Sequence, residues 1–112
     1  MDRFNLDEID FRIIYSSGMF LSAKDNSIFG DKFSYGKVSF VIHKQYADTR
    51  RSLEKLDRIG VVKIVEKNGT RKVYLNPILK SRGNIVDYRV YEMFENTPLN
   101  KTICRNLIAP TN

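Results

Sequence analysis

Lys44-Gln45-Tyr46-Ala47-Asp48-Thr49-Arg50-Arg51-Ser52-Leu53-Glu54-Lys55-Leu56-Asp57-Arg58-Ile59-Gly60, running on through Val61-Val62-Lys63-Ile64-Val65-Glu66-Lys67-Asn68-Gly69-Thr70-Arg71-Lys72-Val73-Tyr74, decides the fold of this chain. Leu53, Leu56 and Ile59 recur at helical spacing, so a helix over 46–59 buries them together with Thr49. Asp48, Arg51, Lys55 and Arg58 then fall on the opposite side. Gly60 ends the helix, because glycine takes the left-handed cap that other residues resist. Asn68-Gly69 suits a type I′ turn, in which both central residues need positive φ. That turn pairs Lys67 with Thr70, Glu66 with Arg71, Ile64 with Val73 and Val62 with Leu75. Val62, Ile64, Val73 and Leu75 then share one face against the helices, and Lys63, Val65, Lys72 and Tyr74 share the other.

Upstream, Asn5 with Glu8 three residues on has the form of a capping box opening a first helix. Leu6, Ile9 and Ile13 lie on one face of it, and Gly18 interrupts or ends it. The acidic start of this helix is expected to face away from any polyanion. Residues 22–37 read as loop, rich in Ser, Asp, Asn and Gly. Ser34 can cap a short helix presenting Tyr35, Val38 and Ile42, although the β-branched run 38–42 also suits a strand. The helix is preferred because the 46–59 helix needs a partner. Downstream, Pro77 stops the second strand, having no amide for the ladder. An amphipathic helix over 85–95 follows, with Val86, Val90, Met93 and Phe94 in a stripe. On this reading residues 1–96 form one domain and 97–112 a tail.

The chain has 112 residues and a formal charge of +6, and residues 43–72 carry nine basic against four acidic side chains, a net of +5. Such clustering is the electrostatic footprint of a polyanion partner, or else simply a solvated surface. A single cysteine, Cys104, excludes an intrachain disulfide. The acidic start and the absence of a long apolar run point to a soluble, cytoplasmic protein with no membrane span. With one histidine, His43, and no nucleophile elbow or phosphate-binding glycine loop, neither enzymatic activity nor a bound metal or cofactor is expected.

The basic helix fits the major groove of double-stranded DNA, where amino-terminal side chains reach base edges. Gln45, Asp48, Thr49 and Arg51 are the candidates for bases, and Arg50, Lys55 and Arg58 for phosphates. At the hairpin tip, Lys67, Asn68, Thr70, Arg71 and Lys72 are expected against the backbone or minor groove. The plainer alternative is a solvated helix face with Glu54 pairing Arg58, beside a soluble turn.

Arg50 through Val62, with its leucine pair, glycine and two aliphatics, resembles the recognition helix and following strand of winged-helix regulators. Leu6-Asp7-Glu8-Ile9-Asp10-Phe11-Arg12-Ile13-Ile14 is similar to their first helix. Lys72-Val73-Tyr74-Leu75-Asn76-Pro77, with Gly83 beyond, resembles the end of the wing in RepL-type plasmid replication proteins of Gram-positive bacteria. The resemblance implies an α+β fold, a winged helix-turn-helix with a two-stranded wing and a C-terminal helix. It also implies a DNA-binding regulator of plasmid or phage type, a replication initiator or copy-control protein being the alternative. A winged-helix protein-interaction module is the reading from another class. A homodimer through the 85–95 helix would place two recognition helices about 34 Å apart on a palindromic site; the alternative is that this helix packs back on the first helix and completes a monomer core.

Overall fold

Asp7 opens the first helix, α1 (Glu8–Ser17): its carboxylate accepts from the Asp10 amide, and the Asp10 carboxylate accepts from the Asp7 amide. The cap expected at Asn5 is therefore displaced by two residues. Asn5 sits before the helix at a φ of 54°, and Asp7/Asp10 satisfies the same three-residue spacing with both side chains engaged. Ile13 is fully buried, with Leu6 and Ile9 packed beside it, and Gly18 caps the end. The computed structural model describes residues 4–81 and 88–108.

The segment read as plain loop contains a third strand-like piece. Leu21 bridges Ile28 and Ser27 bridges Tyr74, with the Ile28 amide donating to the Val73 carbonyl at 2.7 Å and the Leu75 amide to the Asn26 carbonyl at 3.0 Å. Asn26 itself is buried, and its side-chain amide donates to the carbonyls of Leu75 and Lys80. Polar, turn-forming residues 22–27 hide this piece in the sequence, because they separate the apolar pairs Phe20-Leu21 and Ile28-Phe29 that flank it.

Ser34 caps α2 (Tyr35–Ile42), accepting from the Lys37 amide, and Tyr35, Val38 and Ile42 are buried. The helix-or-strand ambiguity resolves as helix. His43 ends it in the left-handed conformation, and residues 43–45 turn the chain into α3 (Tyr46–Ile59). Gly60 caps α3 at a φ of 104°, and a Cβ there would collide with the Thr97 side chain, so glycine is required twice over.

Strands β1 (Val62–Lys67) and β2 (Thr70–Leu75) pair antiparallel in the expected register, Val62 with Leu75 through Lys67 with Thr70. Asn68 and Gly69 hold φ of 53° and 77°, as the type I′ turn demands. Asp57 on α3 accepts from the Ile64 amide at 2.9 Å and ties the helix to the hairpin. Three helices, the 26–28 segment and the hairpin close over one core centred on Ile13, Leu53, Leu56, Val61 and Val73. The architecture is α+β, a winged helix-turn-helix with a two-stranded wing.

The carboxy-terminal part differs from expectation. Helix α4 (Tyr88–Glu92) lies within the helix anticipated over 85–95, whose first residues, with Val86 and Gly83, fall outside the described residues. Val90 and Phe94 are buried against Tyr74 and Met93, so these members of the stripe expected at a dimer interface pack within the chain, on the outer face of the wing. Within the tail expected over 97–112 lies α5 (Pro98–Ile108), whose Leu99 joins the main core. Thr97 begins it, its hydroxyl accepting from the Asn100 amide. Asn76 locks this corner: its side-chain amide donates to the Gly60 carbonyl and to Asn100 Oδ1, and its Oδ1 accepts from the Ile78 amide. The Leu75-Asn76-Pro77 step thus has a structural role of its own.

Candidate nucleic-acid interface

At 3.6 residues per turn, burying Thr49, Ser52, Leu53, Leu56 and Ile59 turns Ala47, Arg50, Arg51, Glu54 and Arg58 outward. This is a rotation from the face anticipated from sequence. Asp48 and Lys55 lie on the flank toward α1, in a groove shared with Asp7 and Asp10. The acidic start of α1 therefore borders α3 instead of lying apart from it.

The candidate side chains separate into three groups. Arg51 is 77% exposed and hydrogen-bonds Asp48 Oδ1 at 3.2 Å. Arg50 is 52% exposed and stands 3.9 Å from Glu54; Arg58 and Gln45 are also exposed, Gln45 serving as the α3 N-cap without a side-chain capping bond. Exposed ion pairs of this kind contribute about 0–1 kcal/mol and yield readily to another anion. On the hairpin, Lys67, Asn68 and Thr70 are exposed.

Arg71 is shared between the wing and the body. Its Nε and Nη2 both donate to Glu66 Oε1 at 3.0 and 2.8 Å, which raises its affinity for its proton, and its guanidinium lies 4.6 Å from the Tyr35 ring centre.

Three candidates are engaged elsewhere. Thr49 is 0% exposed and its hydroxyl donates to the Gln45 carbonyl, so it cannot reach a base. Lys55 donates to Asp10 Oδ2 at 2.6 Å and to the Asn5 carbonyl at 2.7 Å. Lys72 pairs with Asp25 at 2.5 Å and Asp31 at 3.4 Å, fastening the outer face of the wing to the 22–37 segment. Burial alone would raise the Asp10 and Asp25 carboxyl pKa values. Hydrogen bonds from Lys55, Ser52 and the Asp7 amide to Asp10, and from Lys72 and Ser27 to Asp25, prevail and hold both below their ordinary value. The Lys72 ammonium is correspondingly raised, mainly by Asp25.

Sequence reasoning did not identify Tyr35 as part of this surface. It is buried at the start of α2, with the edges of Phe33 and Tyr46 at 5.5 and 5.9 Å, and burial pushes its phenol up. The signal was an aromatic cluster at 33, 35 and 46, visible as composition but not as proximity.

Among the described residues no group of three or more His, Cys, Asp or Glu could hold a metal ion, and no helix is long and apolar enough to cross a membrane. No family model matches the chain, and no curated protein matches it. It is similar to the crystal structure of a MarR-family transcriptional regulator from Silicibacter pomeroyi, at 19% identity and a TM-score of 0.48, over 100% of this chain and 64% of that one.

Proposed function

We propose that this chain is a sequence-specific double-stranded DNA-binding protein without enzymatic activity, a cytoplasmic transcriptional regulator of plasmid or phage type that acts as a homodimer. The observation that carries the reading is the exposed face of α3. Arg50, Arg51 and Arg58 stand there beside Gln45, and the exposed Lys67-Asn68-Gly69-Thr70 wing tip extends from the same helix-turn-helix body. Arg51 and Gln45 are suited to bases, since Arg forks onto guanine and Gln onto adenine. Arg50, Arg58 and Lys67 are suited to phosphates, with Asn68 and Thr70 donating alongside. Asp48 pairs with Arg51 in the free protein and can accept from cytosine when Arg51 moves onto a base.

With Val90 and Phe94 packed internally, the outer side of α1 is the apolar surface among the described residues that we assign to a second copy. Tyr15, Met19 and Phe11 are 81%, 56% and 50% exposed there. Contiguous apolar surface of this kind marks an interaction site. Glu8 and Arg12 line the same face and pair with each other at 2.9 Å, and an antiparallel copy of α1 crossing at Tyr15 would set Tyr15 against its own copy with Phe11 and Met19 flanking it, as an isologous interface permits.

Footprinting on DNA flanking the gene tests the reading. Protection of a site overlapping the gene's own promoter supports a regulator. An array beside a replication gene would move the role to an initiator. Absence of any protection at low salt, with a protein partner retained, would replace DNA binding by an interaction module.

A further inference from the structure

Tyr35 lies where the recognition helix, the wing and α2 meet. The Arg71 guanidinium of β2 is 4.6 Å from its ring centre and the Arg50 guanidinium of α3 is 5.6 Å from it. Both are within the roughly 6 Å over which an aromatic face attracts a cation. The ring is 4% exposed and is held by two edge-on neighbours, Phe33 at an interplanar angle of 79° and Tyr46 at 84°. It is therefore a fixed platform, while the two arginines reach it from separate elements.

Two cations drawn to one ring would repel each other, and each has a carboxylate beside it, Glu54 for Arg50 and Glu66 for Arg71. Those carboxylates are 50% and 63% exposed, free to swing into water when a phosphate arrives. The Arg71 hydrogen bonds to Glu66 use Nε and Nη2, which leaves Nη1 for an incoming oxygen. Arginine suits this arrangement better than lysine, because its planar group stacks and forks at once.

Resting on the DNA-binding reading, we infer that Tyr35 is a positioning residue whose ring sets Arg50 of the recognition helix and Arg71 of the wing as a single phosphate clamp. The clamp fixes the helix-to-wing spacing on the DNA backbone and carries no base preference. Because Tyr35 acts through the two arginines, its contribution to binding exists only while they are present.

The test is binding of a random-sequence duplex, followed by fluorescence anisotropy across a salt series. Tyr35→Phe keeps the ring and should bind as the wild type does. Tyr35→Leu keeps the helix and the apolar packing but removes the π face; it should bind about tenfold more weakly. Its log K against log salt should be shallower by up to about 0.9 for each phosphate that the variant no longer neutralises. In an Arg50→Ala/Arg71→Ala background, Tyr35→Leu should change nothing further. A folded Tyr35→Leu protein with an unchanged slope overturns the proposal, as does a further weakening in the double-alanine background. Should Tyr35→Leu fail to fold, NMR of the wild type decides: ring-current shifts of the Arg50 and Arg71 side-chain resonances, absent at Arg51, support the clamp, and unshifted resonances overturn it. A wild type that binds no duplex at low salt removes the DNA-binding reading itself, and the NMR measurement still reports on the ring geometry separately.

Discussion

The Lys55 ammonium on α3 lies 2.6 Å from Oδ2 of Asp10 on α1, while Ser52 donates to the other oxygen of the same carboxylate. The Asp10 side chain is 1% exposed. A cation that reads in the sequence as a phosphate ligand is thus a clamp between α1 and α3. Lys55→Met should leave a buried carboxylate without its charge partner and cost about 3 kcal/mol in urea denaturation. The same variant, if folded, should keep the wild-type salt dependence of duplex binding. A shallower salt slope would return Lys55 to the DNA surface.

Asp10 and Asp25 are both held below their ordinary carboxyl value. A carboxyl with a depressed folded pKa stabilises the native state fully above its unfolded pKa and loses that contribution as pH falls through the folded one. Stability should accordingly fall below about pH 4. Lys55→Met removes a cause of the Asp10 depression, so its denaturation midpoint should be lower than wild type at neutral pH, and the two should converge as pH falls below about 4. Parallel curves over that range would show that the pair does not govern the acid limb.

Asn76 joins the Gly60 carbonyl at the end of α3 to Asn100 near the start of α5. Asn76→Ala leaves the buried Gly60 carbonyl and Asn100 side chain without that donor, at a cost of about 2 kcal/mol. Thermal melting measures this directly. An unperturbed melting temperature would mean that α5 is not tied to the body through this residue.

Tyr15→Asp should convert a dimer to a folded monomer, since it introduces a charge at the centre of the exposed α1 face. Sedimentation of both proteins at tens of micromolar checks this, with circular dichroism to confirm the fold. A monomeric wild type removes the α1 dimer, and a dimeric variant places the interface elsewhere.

The hairpin was fully legible in the sequence. Asn68-Gly69 and the alternation on either side of it admit one register, and the chain adopts it. The buried face of α3 was legible for the same reason, because its leucines and Ile59 have nowhere else to go. The fate of the surrounding cations was not. Lys55 and Lys72 find Asp10 and Asp25 from more than forty residues away, and periodicity carries no record of such meetings. Helix α5 was missed although Thr97-Pro98 has the form of a cap followed by proline in the first turn, a local signal outweighed by the weak apolar pattern beyond it. Val90 and Phe94 look like an exposed stripe until Tyr74 is known to face them.

The most direct test of the central claim is competition between a cognate and a random duplex across a salt series, for the wild type, Arg51→Ala and Lys67→Ala. The cognate duplex is first obtained by footprinting or by selection from a random pool. Arg51→Ala should lose about 1–3 kcal/mol of discrimination while changing random-duplex affinity much less. Lys67→Ala should weaken both duplexes alike and flatten the salt slope by up to about 0.9. Absence of wild-type binding to any duplex at about 50 mM salt, or identical behaviour of all three proteins, would contradict the assignment of this face to DNA.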